Sequence, residues 1–421
     1  MKIEKICILG LGYVGLPLAT SLSAKYEVVA FDTSAKRISE LKRCYDVNGE
    51  VPSGYLENCS ANFTSEMKDL KKCNVFIVTV PTPVNEANIP DLDPLMAACR
   101  TVGKFLKLDD LVIFESTVYP GATEERCVPV LEEISGLSYK KDFNVGYSPE
   151  RVNPGDVANS LQNVNKLISA SNVSSVEVLK VIYGSVTSAK LVVCSTIKVA
   201  EAAKIMENTQ RDVNIALMNQ FYQMLDPLGI DCHEVISAAS TKWNFHAYKP
   251  GLVGGHCISV DPYYMIYRAK LAGINSDLLN TARHINENMS VYIADKIYKK
   301  LQSDEKCTSR NKILILGATF KENCSDFRNS KILDVYGALI TLGIEVKIYD
   351  PWIDKEEFKK CFNIEILENI NEHFDAAALL VPHSNFDTNF WLSTITKCKF
   401  KFIFDLKNRL TTTISDVEIV K

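Results

Sequence analysis

The sequence predicts an α/β protein with two doubly wound, Rossmann-like domains joined by a long central helix and a helical middle region. A strand, a turn, a helix, a second strand and an aspartate follow one another at residues 5–32, and this order returns at residues 312–350. A helical pattern of about eight turns covers residues 196–225. We therefore expect domains at residues 1–195, 196–300 and 311–421, in keeping with a chain of 421 residues.

The composition is that of an ordinary globular protein and excludes several classes of partner. Hydrophobic residues make up 47% and charged residues 23%, and the net charge of −4 gives no basic surface for nucleic acid. No apolar run is long enough for a membrane span, and the N-terminus lacks the features of a signal peptide. The 13 cysteines form no C-x-x-C pair and no zinc-binding spacing with histidine. We expect reduced thiols, no bound metal and a cytoplasmic protein.

The first predicted strand, residues 5–9, leads directly into the glycine-rich turn at residues 10–15, Gly-Leu-Gly-Tyr-Val-Gly. A helix and a second strand follow, and that strand ends at Asp32. This order suits a dinucleotide, because the glycines admit the pyrophosphate, the helix N-terminus favours its charge and the acid accepts a ribose hydroxyl. Asp32 favours NAD over NADP. Arg37 leaves two interpretations open: it weakens that preference, or it is a solvated helix residue.

Further strands of the first domain are predicted at residues 74–80, 111–115, 143–147, 166–169 and 190–194. Three of them end in loops of unusual composition, at residues 81–83, 116–121 and 148–151. Each loop taken alone is typical of a proline or glycine turn. Together they lie beyond the carboxyl ends of strands, where open α/β sheets bind ligands.

The long helix carries a polar stripe, because Lys204, Asn208 and Arg211 are spaced at i, i+4 and i+7. Spacing alone favours a solvated face over a binding site. The length of this helix suits an interdomain or dimer axis. Helical patterns continue at residues 233–240 and 277–300.

A glycine-rich loop at residues 251–262 places Cys257 shortly before a predicted helix, for which Asp261 and Pro262 are a suitable N-cap and first turn. The glycines let the backbone approach a ligand closely. A thiol near a helix N-terminus favours the reactive thiolate. A lone cysteine is nevertheless more often buried and inert, so both interpretations stand at this point.

After a hydrophilic linker at residues 302–311, the opening pattern returns without its glycine motif. The second doubly wound domain has strands at residues 312–316, 345–349, 376–381 and 402–405, and a helix at residues 330–342. A different loop, residues 317–328, stands where the glycine turn was. We expect this domain to bind another nucleotide-bearing ligand. Lys321 and Arg328 in this loop are either phosphate contacts or surface charges.

The chain resembles the UDP-glucose/GDP-mannose dehydrogenase family essentially from end to end. The motifs that carry this resemblance are GLGYVG, PTP, STVYPG, SPERVNPGD, EAAKIMENTQRDVNIALMN, GLVGGHCISVDP and TFKENCSDFRNS. It implies oxidation of the primary alcohol of a nucleotide sugar to a carboxylate, with two NAD and one catalytic cysteine. SPERVNPGD and the residues around GLVGGHC are similar to the branch that acts on UDP-N-acetylhexosamines. We therefore expect UDP-GlcNAc or UDP-GalNAc as substrate, with UDP-ManNAc or UDP-glucose as alternatives.

The resemblance also implies roles for individual residues. The expected catalytic residues are Cys257, Lys204, Asn208, Asp261, Glu150 and Thr117. The expected cofactor contacts are Gly10, Gly12, Tyr13, Val14, Gly15, Asp32, Arg37, Thr82, Thr117 and Arg328. The expected substrate contacts are Glu150, Arg151, Val152, Lys204, Asn208, Arg211, Lys249, Gly254, Phe320 and Lys321. For Asp261, the capping role and the catalytic role compete.

Gln220, Ser240 and Ser259 depart from the usual family pattern, and we expect them to alter substrate fit at most. A two-electron dehydrogenase and a catalytically silent nucleotide-sugar sensor are the rival functions. The presence of Cys257, Lys204, Asn208 and Asp261 together argues against a sensor, which needs no nucleophile. The resemblance further implies a homodimer and a pathway that supplies surface or capsular polysaccharide.

Overall fold

The computed structural model describes residues 2–152, 161–303, 311–410 and 417–421. The chain forms two compact units, of which the first comprises Met1–Asn208 and Tyr263–Asn275. The second unit comprises Thr209–Pro262 and Ser276–Lys421. Residues 153–156 of the SPERVNPGD motif and residues 304–310 of the expected linker lie outside the described residues.

The described part of the first unit contains an eight-stranded sheet. Its strands are β1 (Ile6–Leu9), β2 (Val28–Phe31), β3 (Asn62–Thr64), β4 (Val75–Val78), β5 (Leu111–Phe114), β6 (Asn144–Tyr147), β7 (Lys166–Ala170) and β8 (Leu191–Val193). They are ordered β3-β2-β1-β4-β5-β6-β7-β8 in space, and β7 is antiparallel to β6. The first six strands have the order of a dinucleotide-binding sheet.

Both faces of this sheet are covered, which explains why its strands are continuous apolar runs. Every residue of β1 is buried, and Ile6 and Ile8 belong to a core cluster that includes Leu16, Ala19 and Leu22 of the first helix. The helices are α1 (Gly15–Ser23), α2 (Ala35–Lys42), α3 (Ser53–Glu57), α4 (Asp93–Gly103), α5 (Val128–Ser135) and α6 (Val173–Tyr183).

The described part of the second unit contains a five-stranded parallel sheet. Its strands are β9 (Lys312–Leu316), β10 (Glu345–Tyr349), β11 (Ala376–Leu379), β12 (Phe402–Asp405) and β13 (Glu418–Val420). Their order in space is β10-β9-β11-β12-β13. Ile313 and Ile315 of β9 pack in one core cluster, whereas Leu314 and Leu316 pack in another. Alternate side chains therefore enter two cores on opposite faces, as a doubly wound sheet requires.

The long helix α7 (Ile197–Leu225) begins in the first unit and ends in the second. The remaining helices are α8 (Cys232–Ala239), α9 (Asp261–Leu271), α10 (Asp277–Gln302), α11 (Ile332–Thr341), α12 (Lys355–Phe362) and α13 (Thr388–Cys398). The predicted fold class is confirmed, although α9 begins at Asp261 itself and α11 begins two residues later than expected. Among the described residues, no helix combines the length and apolar character needed to cross a bilayer.

Candidate active site

The glycine turn of the first unit has the geometry that a dinucleotide requires. Gly10 has a φ of +94°, in the region that favours glycine. A β-carbon on Gly15 would lie 1.9 Å from the carbonyl oxygen of Gly10, so a larger residue is excluded there. A β-carbon on Gly12 would meet nothing within 4 Å. The turn therefore leaves the backbone at Gly12 open to a pyrophosphate, next to the N-terminus of α1.

Asp32, directly after β2, is half-buried and organises the same turn. One carboxylate oxygen accepts the N–H of Leu11 at 2.9 Å, and the other accepts the N–H of Ser34 at 2.8 Å. Arg37 donates from Nε to the Leu11 carbonyl, and its Nη2 lies 2.7 Å from Oδ1 of the buried Asp46. Arg37 is thus no solvated helix residue, and Asp46 neutralises its charge. Because the charge of Arg37 is paired with Asp46, the negative charge of Asp32 disfavours the 2′-phosphate of NADP.

Two of the unusual loops, which follow β4 and β5, are tied together. The hydroxyl of Thr82 donates to the carbonyl oxygen of Thr117 at 2.7 Å, and the hydroxyl of Ser116 donates to the carbonyl oxygen of Val80 at 2.6 Å. The phenol of Tyr264 donates to the carbonyl oxygen of Thr82 at 2.8 Å. The structure therefore brings the expected cofactor contacts Thr82 and Thr117 together at one edge of the sheet.

Glu201 of α7 fixes the Thr117 loop and was not expected from the sequence. Its fully buried carboxylate accepts the N–H of Gly121 at 2.6 Å and the N–H of Thr123 at 2.9 Å. Burial raises the pKa of Glu201, while these backbone donors lower it. The sequence shows a glutamate near the start of a predicted helix, but it does not show that this side chain is buried or that its partners lie 78 and 80 residues away.

Lys204 follows one turn after Glu201 and is buried, with 7% of its surface exposed. Lys204 makes no hydrogen bond or ion pair with any residue that the structure describes. Asn208 is also buried, whereas Arg211 is exposed, so the polar stripe is not a solvated face along its whole length. A buried cation without a protein anion is suited to a negatively charged ligand or a developing oxyanion.

The loop after β6 holds Glu150 in a fixed orientation. One carboxylate oxygen of Glu150 accepts the N–H groups of Arg151 at 2.7 Å and of Val152 at 2.5 Å. Its other oxygen lies 3.9 Å from the ammonium of the buried Lys166. The guanidinium of Arg151 pairs with Glu207 of α7 at 2.7 Å. Glu150 is therefore restrained by backbone donors and by a cation that sequence analysis missed.

In the second unit, the loop that carries Cys257 is anchored at its first residue. The buried side chain of Asn219 accepts the N–H of Gly251 at 2.8 Å and donates to its carbonyl oxygen at 3.0 Å. Asn286 in turn accepts from Asn219 at 2.8 Å. Cys257 itself is exposed, so the interpretation of a buried thiol is wrong. Its carbonyl oxygen accepts the N–H of Asp261, the buried first residue of α9, at 2.8 Å.

The cysteine loop packs closely on the loop after β9. A β-carbon on Gly254 would lie 2.6 Å from the carbonyl oxygen of Asn329, and one on Gly255 would lie 2.8 Å from the ring of Phe320. Gly255 also has a φ of +86°. These two glycines therefore allow a close approach that larger residues would prevent. The structure thus brings the expected substrate contacts Gly254 and Phe320 together.

Asp326 links the same two loops through a hydrogen-bond contact with His256. His256, next to the cysteine, lies 3.1 Å from the carboxylate of Asp326, which also accepts from Nε and Nη2 of Arg328 at 2.9 and 2.8 Å. Burial raises the pKa of Asp326, but the hydrogen bonds from His256 and Arg328 outweigh it and hold that pKa far below its usual range. Lys321 lies nearby in sequence, with its ammonium 5.5 Å from the centre of the Phe320 ring.

The two units divide the expected site residues between them. The first unit holds Gly10, Gly12, Tyr13, Val14, Gly15, Asp32, Arg37, Thr82, Thr117, Glu150, Arg151, Val152, Lys204 and Asn208. The second unit holds Arg211, Lys249, Gly254, Cys257, Asp261, Phe320, Lys321 and Arg328. Lys249 is exposed. The described residues contain no group of three or more side chains suited to hold a metal ion.

The sheet order, the glycine turn and Asp32 define a Rossmann-type dehydrogenase domain that binds NAD, and the second unit adds another doubly wound domain. Models of the UDP-glucose/GDP-mannose dehydrogenase family match the chain in three parts. The NAD binding domain matches residues 4–187, the central domain residues 198–288 and the UDP binding domain residues 314–412. The chain belongs to this family, and the predictions of family, NAD cofactor and oxidoreductase class are confirmed.

Relatives in this family are similar over the full chain. Protein CapL of Staphylococcus aureus is 45% identical over 407 residues, which is 96% of each chain. UDP-N-acetyl-D-glucosamine 6-dehydrogenase of Pseudomonas aeruginosa is 43% identical over 423 residues, with both chains fully covered. The solved structure of UDP-D-ManNAc dehydrogenase from Pyrococcus horikoshii has a TM-score of 0.88 at 31% identity, covering 99% of this chain and 98% of that one.

Proposed function

We propose that this protein oxidises the 6-hydroxymethyl group of a UDP-N-acetylhexosamine, UDP-GlcNAc or UDP-GalNAc, to the uronic acid. The observation that carries the four-electron reaction is the exposed Cys257 thiol, on a glycine loop packed against the UDP binding domain. The UDP-GlcNAc 6-dehydrogenase of P. aeruginosa, at 43% identity over its whole length, supports the choice of sugar. UDP-ManNAc is the second candidate, favoured by the P. horikoshii structure.

The proposed reaction has two oxidations at one carbon, C6, and NAD held by the glycine turn would supply the hydride acceptor for each. In the first, the C6 hydroxyl loses its proton and C6 its hydride, which gives an aldehyde. The Cys257 thiolate then adds to the aldehyde carbon, and the oxygen takes up a proton to form a thiohemiacetal. Loss of the second hydride and that proton leaves a thioester. Water attacks the thioester, and the C–S bond breaks to give the carboxylate and the free cysteine.

The chain supplies charge and proton acceptors for these steps. Lys204, buried and without a protein anion among the described residues, stabilises the oxygen of C6 whenever it carries negative charge, with Asn208 donating beside it. Glu150, fixed by two backbone donors, holds the hydrolytic water with Thr117. Asp261 takes up protons in addition to starting α9.

The binding roles follow the three proposed domains. In residues 1–195, the glycine turn, Tyr13, Val14 and Asp32 hold NAD, with Thr82 and Thr117 at the nicotinamide side. Residues 196–300 supply Lys204, Asn208, Arg211, Lys249, Gly254 and Cys257. In residues 311–421, Phe320 and Lys321 contact the UDP-sugar, and Arg328 is a cofactor contact. Arg151 and Val152 complete the substrate contacts. Arg37 supports the cofactor site through the Leu11 carbonyl and Asp46.

The test is a panel of UDP-GlcNAc, UDP-GalNAc, UDP-ManNAc and UDP-glucose, with NADH formation followed by absorbance and the product identified by mass. We expect two NADH per uronic acid with an N-acetylhexosamine. Cys257→Ser should abolish the uronic acid, whereas Cys361→Ser, the same change at another exposed cysteine, should not. One NADH per sugar would indicate a two-electron dehydrogenase, and binding without NADH would indicate a sensor. Either result would refute the proposal.

We also propose a cytoplasmic homodimer that supplies a precursor of surface polysaccharide. The end of α7 and the turn after it expose an apolar row, which consists of Leu217, Phe221, Met224 and Leu228. Their spacing of i, i+4, i+7 and i+11 places them on one face, and such a face suits a second copy of the chain. The similarity to Protein CapL supports the polysaccharide pathway.

A further inference from the structure

The second unit repeats the carboxylate arrangement of the glycine turn. Gly317, directly after β9, has a φ of +83°, and Asp350 follows β10. One carboxylate oxygen of Asp350 accepts the N–H of Ala318 at 2.7 Å, and the other accepts the N–H of Trp352 at 2.8 Å. These are the two contacts that Asp32 makes in the first unit, to the residue after the glycine and to the residue two positions after the acid.

The carboxylates of Asp32 and Asp350 differ in their burial and in their other contacts. Asp32 is half-buried, whereas Asp350 is fully buried and its Oδ2 lies 3.0 Å from Nε2 of His383. His383 is buried as well, and its ring stacks on Trp352 with centroids 6.0 Å apart. In a dinucleotide-binding domain this carboxylate accepts a ribose hydroxyl. In the second unit, the side chain of His383 contacts the corresponding carboxylate instead.

The other nitrogen of His383 holds the loop after β9. Nδ1 accepts the backbone N–H of Asn323 at 2.9 Å, so Nε2 carries the proton and donates to Asp350. Nε2 also lies 3.3 Å from the hydroxyl of Thr319, and that hydroxyl donates to the carbonyl oxygen of Lys321 at 2.8 Å. One imidazole thus contacts both ends of the segment from Thr319 to Asn323.

We propose that His383 is a positioning residue for nucleotide-sugar binding. It closes the second doubly wound domain to a dinucleotide and fixes the loop that presents Phe320 and Lys321 to the UDP group. The imidazole does this by bridging Asp350 and the Asn323 N–H, so that one side chain couples the end of β10 to the loop after β9. This inference rests on the proposed roles of Phe320 and Lys321 as substrate contacts.

The test uses the full chain, with UDP and NAD as separate probes in titration calorimetry. His383→Ala should weaken UDP binding about tenfold, the effect of one or two lost hydrogen bonds, and change NAD binding less than about twofold. The KM for the UDP-sugar should rise more than kcat falls. Free imidazole should restore part of the UDP affinity by refilling the cavity.

Asp350→Asn keeps the shape of the site and removes one acceptor of the hydrogen bond from His383. It should therefore also weaken UDP binding with little effect on NAD binding, even where His383→Ala fails to fold. Unchanged UDP affinity in a folded variant, or an equal loss of UDP and NAD affinity, would overturn the positioning role. A wild-type protein that binds no UDP would instead refute the proposed function. The two failures are therefore distinguishable.

Discussion

Replacing Lys166 with methionine should strongly destabilise the first unit. The Lys166 ammonium lies 2.9 Å from Glu115, and the two side chains are 4% and 0% exposed. Tyr183 donates to the other oxygen of Glu115 at 2.5 Å. Burial raises the pKa of Glu115, while the charge of Lys166 lowers it. Without the lysine, a carboxylate that has no access to water would lose its counter-ion.

The expected loss in the free energy of unfolding is about 3–5 kcal/mol, the usual cost of removing one partner of a buried ion pair. A double variant, Lys166→Met with Glu115→Gln, removes both charges and should recover most of this loss. Lys180 offers a matched control, because its ammonium lies 2.7 Å from Glu177 but both side chains are largely exposed. Lys180→Met should change stability by less than about 1 kcal/mol.

Urea unfolding followed by tryptophan and tyrosine fluorescence measures these differences, with NAD absent so that binding does not shift the equilibrium. Lys166→Met should be much less stable than both the wild type and the double variant. If Lys166→Met and Lys180→Met destabilised the protein equally, the buried pair would have no special role. Recovery in the double variant is the decisive comparison, because it separates an unpaired charge from a simple loss of packing.

Three further predictions concern other parts of the molecule. Asn219→Ala leaves the N–H and carbonyl of Gly251 without partners and should lower the free energy of unfolding by about 3 kcal/mol; a urea midpoint equal to that of the wild type would contradict this. Burial raises the pKa of Asp110 to about 6, so the folded state binds this proton more tightly than the unfolded chain, and stability falls as the pH rises from about 4 to about 6. In Asp110→Asn, the free energy of unfolding should decrease by up to about 3 kcal/mol less over this pH range than in the wild type. Wild-type and variant curves of unfolding free energy against pH that run parallel would refute this prediction. If the proposed dimer forms through the apolar row of α7, Phe221→Glu should give monomers in sedimentation equilibrium, whereas Gln210→Glu, at an exposed polar position of the same helix, should not; two identical masses would argue against this interface.

Local patterns in the sequence predicted most of the strands and the helices α1 and α7 to α11, whereas no prediction was made for α2 to α6, α12 and α13. The apolar strands β1 and β9 are evident because both faces of each sheet are covered, which makes them continuous apolar runs. Two short strands, β3 and β13, were missed, because three residues with polar members carry too little pattern. The long helix was predicted within one residue at its start.

The sequence could not reveal the residues that hold the site in place. Nothing near Glu201, Lys166, Asn219 or His383 in the chain indicates their partners. Glu201 binds backbone groups about 80 residues away, and His383 reaches Asp350 33 residues away. Such partners are set by which strand ends and helix faces meet in space.

By itself, the sequence determined the fold class, the dinucleotide turn and the family, because these depend on the order and spacing of neighbouring residues. The tertiary structure decided which of two similar carboxylates is open to a ligand. Asp32 stays half-buried beside an open glycine, whereas Asp350 is covered by His383. The physical reason is that a buried acceptor needs a donor, and only the folded chain determines whether that donor is a ligand or the protein itself.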